Sequence, residues 1–539
     1  MGNPLLKNYN IDKAPFTQGG FRDLWDIYHG SRKDRQQDVS IFIHEKKNLD
    51  KYTKEEKEEI LNVLKKEAGA LAKFKHPLVL SLVDPLLEDK TTLIFVTESF
   101  NYTLSKFAES PDTSKLELKL LILELCNVIS FMHNDAKVII ASMVPDSILI
   151  TSNGKLKLSG LAYSVPDPPI GGTKYKLETA FPNAMPLLKF MAPENIYDGK
   201  IDYKSDIFSL GILIHFLFKL NANPQNDNDR DLISISNSRN TAESYKSAYD
   251  NFDSRMSKMR FDPEDNDIII KATTKNIQYR PTINEIMELN WFNDPKLKAF
   301  KFIENLEQND PSKNTEFLNK FSNILSIFEL KIVEKRFLPS FLRAFKNENL
   351  IVSILPIVFN ICQIPGIKVN FEVDVWPELK TVFALKQIPA AALYFILSKI
   401  NFIAEKISNG EFSSNMLNII CKALDCGVAK IQSVVMENLA FIIKKIESLA
   451  FKNQVFPRLV NIVLNTNSNS LKITILKSFT NVYSLLDQNI INESLLNTLE
   501  KIRKSDNTGE ICVCLVKIYE EIAKVVSVEV IIFKFILKI

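Results

Sequence analysis

The segments of this sequence with the most chemical content lie in its first half. A glycine pair, Gly19-Gly20, stands near the start. Three later segments are Met191-Ala192-Pro193-Glu194, Ser205-Asp206-Ile207-Phe208-Ser209-Leu210-Gly211 and Tyr279-Arg280-Pro281-Thr282. Glycines let backbone N–H groups approach phosphates, and carboxylates bind Mg²⁺ or accept a proton. The chemistry to examine is therefore phosphoryl transfer.

The three later segments resemble the A-P-E, Ser-Asp-Ile-x-Ser-Leu-Gly and Arg-Pro-Thr segments of the protein-kinase C-lobe. In kinases a base and two metal ligands come from H-R-D-L-x-x-x-N and D-F-G. The matching segments here are Ile140-Ala141-Ser142-Met143-Val144-Pro145-Asp146-Ser147 and Gly160-Leu161-Ala162. Ser142 replaces the base, and Ser147 and Gly160 replace the metal ligands. Serine is no base near pH 7, and neither replacement binds Mg²⁺ as a carboxylate does. The resemblance thus implies a kinase fold without catalytic residues.

The spacing of these segments supports the register. The Asp of D-F-G follows the catalytic-loop Asn by about thirteen residues in the family pattern, and Gly160 follows Ser147 at that spacing. Between them, residues 148–151 and 155–158 have the pattern of two strands around a turn at Ser152-Asn153-Gly154. The sequence therefore predicts the kinase hairpin in its usual place.

The N-terminal motifs are degenerate in the same way. Residues 17–24 stand where G-x-G-x-x-G-x-V belongs, with Gly19 as the one retained glycine and Gly20 at a free position. The pair could contact a nucleotide or could simply form a hairpin turn. Val39-Ser40-Ile41-Phe42 matches V-A-I-K, so Phe42 replaces the phosphate-binding Lys. Either Lys46 or Lys47 could reach in instead, unless both are solvated at a strand end.

A long helix is expected after these strands. Thr53 and Glu56 form the pattern of a capping box, and apolar residues then recur at three- and four-residue spacing up to Phe74. Glu67 matches the glutamate that pairs with the missing Lys. We therefore expect Glu67 to be solvated or paired with a neighbouring Lys. For the C-lobe, the resemblance implies a buried Glu194–Arg280 pair and an Asp206 that holds the catalytic-loop backbone.

Composition limits the class of protein. A length of 539 residues requires more than one domain, and 46% apolar residues support well-formed cores. A net charge of +3 gives no reason to expect nucleic acid or an anionic membrane as partner. Six cysteines without C-x-x-C pairs and five histidines without metal spacing predict reduced cysteines, a cytoplasmic protein and no metal site. No signal peptide or spanning apolar run is evident.

The expected fold is an α+β bilobal protein-kinase-like domain followed by an all-α HEAT-type solenoid. We assign residues 1–295 to the first, 296–320 to a connector and 321–539 to the solenoid. Residues 221–251 are rich in Asn, Asp, Ser and Arg and predict an exposed insert. The solenoid is predicted from five similar positions, expected to open helices, at Pro339, Pro377, Asn418, Pro457 and Asn497. Their near-constant spacing, about 40 residues, is typical of HEAT repeats.

This combination resembles the Scy-like family of kinase-like proteins, closest to its coated-vesicle-associated member, over nearly the whole chain. The residues that carry the resemblance include Asn3-Pro4, Gly19-Gly20, Val39-Ser40-Ile41-Phe42-Ile43 and Pro145-Asp146-Ser147-Ile148. It implies a scaffold for clathrin and adaptor complexes, without a transmembrane segment, on Golgi, endosomal or clathrin-coated vesicle membranes. The family's long C-terminal tail is missing from this sequence, and residues 525–539 look unlike a polar capping helix. A truncated end is one interpretation.

Two other functions stay open at this point. The chain could be a kinase-fold protein that binds ATP, through Gly19 and Gly20, or phosphorylates weakly through unusual residues. It could also be a transport adaptor whose kinase-like head is only a folding module. Our expectation is an inactive scaffold that needs no cofactor, with ATP as the one alternative.

Overall fold

The computed structural model describes residues 3–166, 181–222, 230–486, 488, 490–506 and 508–524. It divides into two compact units, residues 1–302 and 303–539. The first unit combines sheets with helices and the second is helical. The predicted fold class is therefore confirmed. The predicted bounds at 295 and 320 stay predictions, and helices occupy much of the segment between them.

The N-terminal lobe is an antiparallel sheet with one long helix beside it. Its strands are β1 (Tyr9–Ile11), β2 (Thr17–Gly19), β3 (Trp25–Arg32), β4 (Asp38–Glu45), β5 (Leu82–Glu88) and β6 (Thr92–Glu98), and its helix is α1 (Lys54–Leu71). The strand order is β1-β3-β4-β6-β5, with β2 beside β3. The Thr53 hydroxyl accepts a hydrogen bond from the Glu56 backbone N–H, whereas the Glu56 carboxylate accepts one from Asn183. The predicted capping box is thus only half formed.

The C-terminal lobe is mainly helical. Its helices are α2 (Leu104–Glu109), α3 (Lys115–Ser130), α4 (Pro193–Tyr197), α5 (Tyr203–Ala222), α6 (Ala242–Tyr249), α7 (Phe252–Ser257), α8 (Pro263–Ala272), α9 (Ile283–Met287) and α10 (Pro295–Glu304). Its strands are β7 (Tyr102–Thr103), β8 (Val138–Ile139), β9 (Ile148–Ile150), β10 (Leu156–Leu158) and β11 (Val165–Pro166). Strands β9 and β10 pair with Leu156 opposite Ile150, so the hairpin predicted from sequence is present.

Helix α5 is the central helix of this lobe. Within the described residues it alone is long and apolar enough to cross a membrane, and 83% of its most apolar window is buried in the protein. Burial of that kind is what the core helix of a folded domain shows, so the helix is weak evidence for a membrane span.

Parts of the segment predicted as an exposed insert pack against the lobe. Tyr245 is fully buried, and its hydroxyl donates to the Met191 carbonyl at 2.9 Å. The Asn240 amide donates to the Pro186 carbonyl and its oxygen accepts from the Leu188 backbone N–H. For these parts the prediction was wrong, because a few apolar and amide side chains determine burial there, whereas residues 236–239 are exposed as predicted.

The second unit consists of short helices. They are α11 (Pro311–Ile324), α12 (Leu330–Ile332), α13 (Leu338–Arg343), α14 (Glu348–Cys362), α15 (Trp376–Phe383), α16 (Ala390–Ser398), α17 (Ile400–Lys406), α18 (Asn409–Asp425), α19 (Ala429–Glu437), α20 (Leu439–Lys445), α21 (Ser448–Ala450), α22 (Phe456–Asn465), α23 (Asn469–Val482), α24 (Leu496–Ser505) and α25 (Gly509–Ala523). Helices α13, α15, α18, α22 and α24 contact one another in series, and so do α14, α16, α19, α23 and α25. Two such rows form a HEAT-type solenoid.

The sequence suggested that all five repeated positions open helices, and the structure shows that they do not. Pro339, Pro377, Pro457 and Asn497 lie at the second position of an α-helix that continues a π-helical turn. Proline cannot donate the usual backbone hydrogen bond, and a wider turn before it accommodates that loss. Asn418 lies inside the uninterrupted helix α18. Residues 525–539, predicted to be unlike a cap, lie outside the described residues.

Candidate functional site

The segment that corresponds to a kinase catalytic loop is held by a buried carboxylate. Asp206, at the start of α5, is 1% exposed. Its oxygens accept hydrogen bonds from the backbone N–H groups of Ile140 and Ala141 at 2.7 and 2.8 Å, and one lies 2.9 Å from His133 Nε2. Asp206 therefore does what the sequence predicted. The loop keeps its shape even though its chemical groups are gone.

The three degenerate positions, Ser142, Ser147 and Gly160, lie close together beside a very small cavity. Gly160 has φ of 68°, and a Cβ built on it would lie 2.4 Å from the Ser147 Cβ. No carboxylate can therefore stand at residue 160 while residue 147 keeps its place. The cavity that these residues help to line measures about 10 Å³, whereas small-molecule sites measure roughly 300–1,000 Å³.

The glycine pair closes the cleft from above instead of cradling a phosphate. Gly20 has φ of 69°, and its backbone N–H donates to the Asp146 carbonyl of the opposite lobe at 3.4 Å. A Cβ on Gly19 would lie 3.4 Å from the same carbonyl. Beside them, the Lys106 ammonium donates to the Thr17 hydroxyl at 2.8 Å. Backbone groups that would bind phosphate in a kinase thus hold the two lobes together.

Arg22, which replaces the third glycine, extends this closure. Its guanidinium donates to the Pro182 carbonyl at 3.0 Å and to the Asn237 carbonyl at 2.9 Å. The residue itself has φ of 51°, which an L-residue rarely adopts. The loop is therefore fixed at its tip as well as at its glycines.

The phosphate-binding Lys is replaced by part of an aromatic cluster. The Phe42 side chain is 2% exposed, and its ring stacks on Phe95 with centroids 4.4 Å apart. Trp25 meets the Phe95 ring edge-on at 4.8 Å. Lys46 pairs with Glu88 at 2.8 Å and Lys47 pairs with Glu45. Neither lysine substitutes for the missing cation.

Polar groups at the end of β6 and just after it are already hydrogen-bonded. The Phe100 backbone N–H donates to the Ser40 hydroxyl at 3.2 Å, and the Thr97 hydroxyl donates to the Glu98 carbonyl at 2.9 Å. The Phe16 ring covers Phe100 at a centroid distance of 5.4 Å. These groups are unavailable to a ligand unless the bonds break.

Glu67 is neither solvated nor paired with a lysine, so the sequence prediction for it was wrong. It is 2% exposed. Its Oε2 accepts hydrogen bonds from the Trp25 indole N–H at 2.8 Å and from the Phe21 backbone N–H at 3.2 Å. Burial raises the pKa of Glu67 to about 7, against the two hydrogen bonds, which lower it. A buried tryptophan needs a hydrogen-bond acceptor for its indole N–H. This need of Trp25 was the signal that the sequence analysis overlooked.

The pair predicted in the C-lobe is formed. The Arg280 guanidinium contacts both oxygens of Glu194, at 2.6 and 3.1 Å, and Arg280 is 1% exposed. Further donors and acceptors complete the site, because Arg280 also donates to the Thr274 carbonyl and the Ser205 hydroxyl donates to Glu194. Such a satisfied buried pair stabilises a shape and performs no chemistry.

Comparison with known proteins finds relatives of this chain. Residues 27–292 match the model of the protein kinase domain family. SCY1-like protein 2 of Mus musculus is 24% identical over 93% of this chain. Protein kinase-like protein SCY1 of Saccharomyces cerevisiae is 25% identical over 98% of it. Over nearly its whole length, the chain is therefore similar to SCY1-like proteins.

The relatives differ from this chain in length, and one of them is named as inactive. The chain spans 55% of the mouse relative's length and 70% of the yeast relative's. A Dictyostelium discoideum relative, 21% identical over 95% of this chain and 53% of its own length, is named a probable inactive serine/threonine-protein kinase scy1. The cleft of the present chain lacks a base, metal-binding carboxylates and a phosphate-binding lysine at the four kinase positions, and the residues present do not fit MgATP.

Proposed function

We propose that this protein is a catalytically inactive kinase-like scaffold. The observation that carries the proposal is that the glycine pair, which would meet phosphates in a kinase, bonds to the opposite lobe instead. The backbone N–H of Gly20 is bonded to Asp146, and about 10 Å³ is left beside Ser142, Ser147 and Gly160. A nucleotide would have to displace several hydrogen bonds and aromatic contacts before it met any phosphate-binding group.

The size of the catalytic loss supports the same proposal. One charge-stabilising group, the arginine finger, is worth roughly 10³–10⁵ in rate. Here Ser142, Ser147, Gly160 and Phe42 replace a base, two metal ligands and a cation. Such effects are not additive, but this set leaves no group to position Mg²⁺ or stabilise the transferred phosphoryl group.

We further propose that the scaffold acts in clathrin-dependent vesicle traffic between the trans-Golgi network, endosomes and the plasma membrane. Similarity to SCY1-like proteins over most of the chain and the two-row solenoid of residues 338–523 support this assignment. Stacked repeats offer an extended surface to protein partners. The partners would be vesicle-coat and adaptor proteins, bound at the cytoplasmic face of these membranes through protein contacts.

Nucleotide binding and transfer test the first part. The melting temperature of the purified full chain is measured with ATP, with and without Mg²⁺, alongside transfer from radiolabelled ATP. We expect no shift and no transfer. ATP-dependent stabilisation, or transfer that the Gly19→Asp variant abolishes, contradicts the proposal and favours an ATP-binding or weakly active kinase.

The second part is tested by binding of purified clathrin and adaptor complexes to the full chain, to residues 1–302 and to residues 303–539. The far-UV circular dichroism of each piece is checked for folding first. We expect the full chain and the solenoid piece to bind. Binding to residues 1–302 alone removes the solenoid from the proposal, and no binding to the full chain removes the traffic assignment.

A further inference from the structure

A second concave site lies in the N-terminal lobe, away from the closed cleft. It is a cavity of about 610 Å³ between the end of α1 and the beginning of β5. Leu71 and Phe74 line one wall and Leu82 and Val83 line the other. Its volume is in the range of sites that take side chains or small ligands, roughly 300–1,000 Å³. None of its lining residues belongs to the degenerate kinase positions.

The wall formed by β5 is the edge of the sheet, but its backbone is a poor template for another strand. Pro85 lacks a backbone N–H, and the pairing of β5 with β6 shifts register after Leu82 and again after Asp84. Proline and bulges at an edge discourage strand addition. The cavity is therefore suited to side chains of a partner rather than to a paired backbone.

The lining of the cavity carries a cation and no carboxylate. Lys75 lines it, and Lys73 is exposed on the same turn of chain. Neither ammonium has an ion pair within the described part of the chain, and the lining residues include no Asp or Glu. Carboxyl groups beside the lining are already engaged. Asp84 accepts from the Tyr9 hydroxyl, and Glu98, which accepts from the Ser81 backbone N–H, pairs with Lys157 at 2.8 Å.

The His76 side chain, which lines the cavity, is held in place by two contacts. The His76 ring stacks on Phe131 with centroids 4.3 Å apart, and its Nδ1 accepts from the Leu78 backbone N–H at 3.1 Å. Burial lowers the pKa of His76 below its usual value, so the ring is neutral at pH 7. Lys75 is thus the cationic residue of the lining, and the exposed Lys73 lies two residues before it.

We propose that this groove, defined by Leu71, Phe74, Lys75, Leu82 and Val83, binds a protein segment that carries large apolar side chains beside acidic residues. The apolar side chains would fill the cavity, and the carboxylates would meet the two free ammonium groups. Buried apolar anchors with a charged rim are the usual arrangement of a binding hot spot. The head would then have a protein partner of its own, independent of the solenoid.

Fluorescence anisotropy of labelled peptides with the full chain tests this inference. The probe is a peptide of alternating Leu or Phe and Asp or Glu, with two comparators in which Lys replaces the acids or Ser replaces the apolar residues. We expect only the acidic apolar peptide to bind, with a dissociation constant below about 100 μM. Lys75→Glu should weaken it about tenfold and Val83→Arg should abolish it.

Lys90→Glu is the matched control, because Lys90 is exposed in the turn between β5 and β6, outside the groove. Equal effects of Lys75→Glu and Lys90→Glu, or binding of all three peptides, would overturn the proposal, and so would no binding of the acidic apolar peptide. Unchanged melting temperatures of the variants show that they fold. Failure here leaves the traffic proposal intact, since that is tested through residues 303–539.

Discussion

The Trp25 indole N–H donates a 2.8 Å hydrogen bond to Glu67, in the place where a kinase glutamate meets a lysine. The same carboxylate accepts from the backbone N–H of Phe21, just after the glycine pair. Glu67 therefore ties α1 to the loop that closes the cleft. A residue whose matching position serves catalysis in kinases here maintains the closed form.

This arrangement predicts a pH dependence of stability. The pKa of Glu67 is raised from 4.5 to about 7 in the folded protein. The folded state therefore holds more protons between these values, and the free energy of unfolding falls as pH rises through this window. Glu67→Gln keeps the acceptor without the charge. Relative to wild type it should gain stability from pH 5 to pH 8, by at most about 3 kcal/mol.

Urea unfolding at several pH values measures the effect. Glu59→Gln, on the exposed face of the same helix, is the control and should run parallel to wild type. A constant difference between Glu67→Gln and wild type across pH would mean that the carboxyl does not titrate in this window.

Sequence reasoning placed Glu67 on the correct helix but gave it the wrong environment. Helical periodicity is a local property, and it fixes which residues share a face. The partner, Trp25, lies in a strand and is brought close to Glu67 only when the sheet forms. The need of its indole N–H for an acceptor does not appear in the periodicity of the sequence. By contrast, the kinase motifs specify both a residue type and its place in the fold. The contacts of Glu194, Arg280 and Asp206 could therefore be predicted from those motifs.

The Glu194–Arg280 pair should be costly to break from one side. Arg280→Ala leaves a largely buried carboxylate without its cation, which typically costs roughly 3–5 kcal/mol. Chemical denaturation of the purified variant measures the loss. Arg239→Ala, at an exposed arginine, is the control. If Arg280→Ala unfolded like wild type, the buried pair would be contradicted. A Glu194→Gln, Arg280→Met double variant removes both charges, and we expect it to lose less stability than Arg280→Ala.

Gly160→Asp introduces the residue that kinases have at this position. We expect it to destabilise the protein without restoring binding of Mg²⁺ and ATP. Its Cβ would collide with Ser147, and φ of 68° disfavours any side chain. Gly427→Asp separates these two causes, because Gly427 has φ of 70° with open space around it. We expect a larger fall in melting temperature at 160 than at 427. A stable Gly160→Asp variant with a Mg²⁺–ATP-dependent shift would show that the cleft can open.

The repeat period predicted the solenoid, but it did not predict the contacts between neighbouring repeats. An apolar pattern that recurs about every 40 residues predicts stacked helix pairs, since each pair buries its face only against neighbours. It does not predict π-helical turns or capping between repeats, which depend on the exact offset of one helix along the next. Pro339 and Asn418 occupy equivalent sequence positions yet differ in local structure for this reason.

Lys422 illustrates such a contact and supports the last prediction. From α18 its ammonium donates to the carbonyls of Phe383 and Leu385, at 2.9 and 2.6 Å, where α15 ends. One repeat thus supplies the C-terminal cap of a helix in the preceding repeat. Lys422→Met keeps the apolar stem and removes the donor, which should cost about 1–3 kcal/mol.

Because neighbouring repeats share stability, the effect should not stay at the mutated helix. Hydrogen exchange should increase at the end of α15 as well as in α18, and Lys422→Arg should recover part of the protection. Lys444→Met, which removes an exposed ammonium in the same unit, is the control. Exchange that rises in α18 alone would show that the cap does not couple the repeats, because loss of the two bonds would then leave α15 undisturbed.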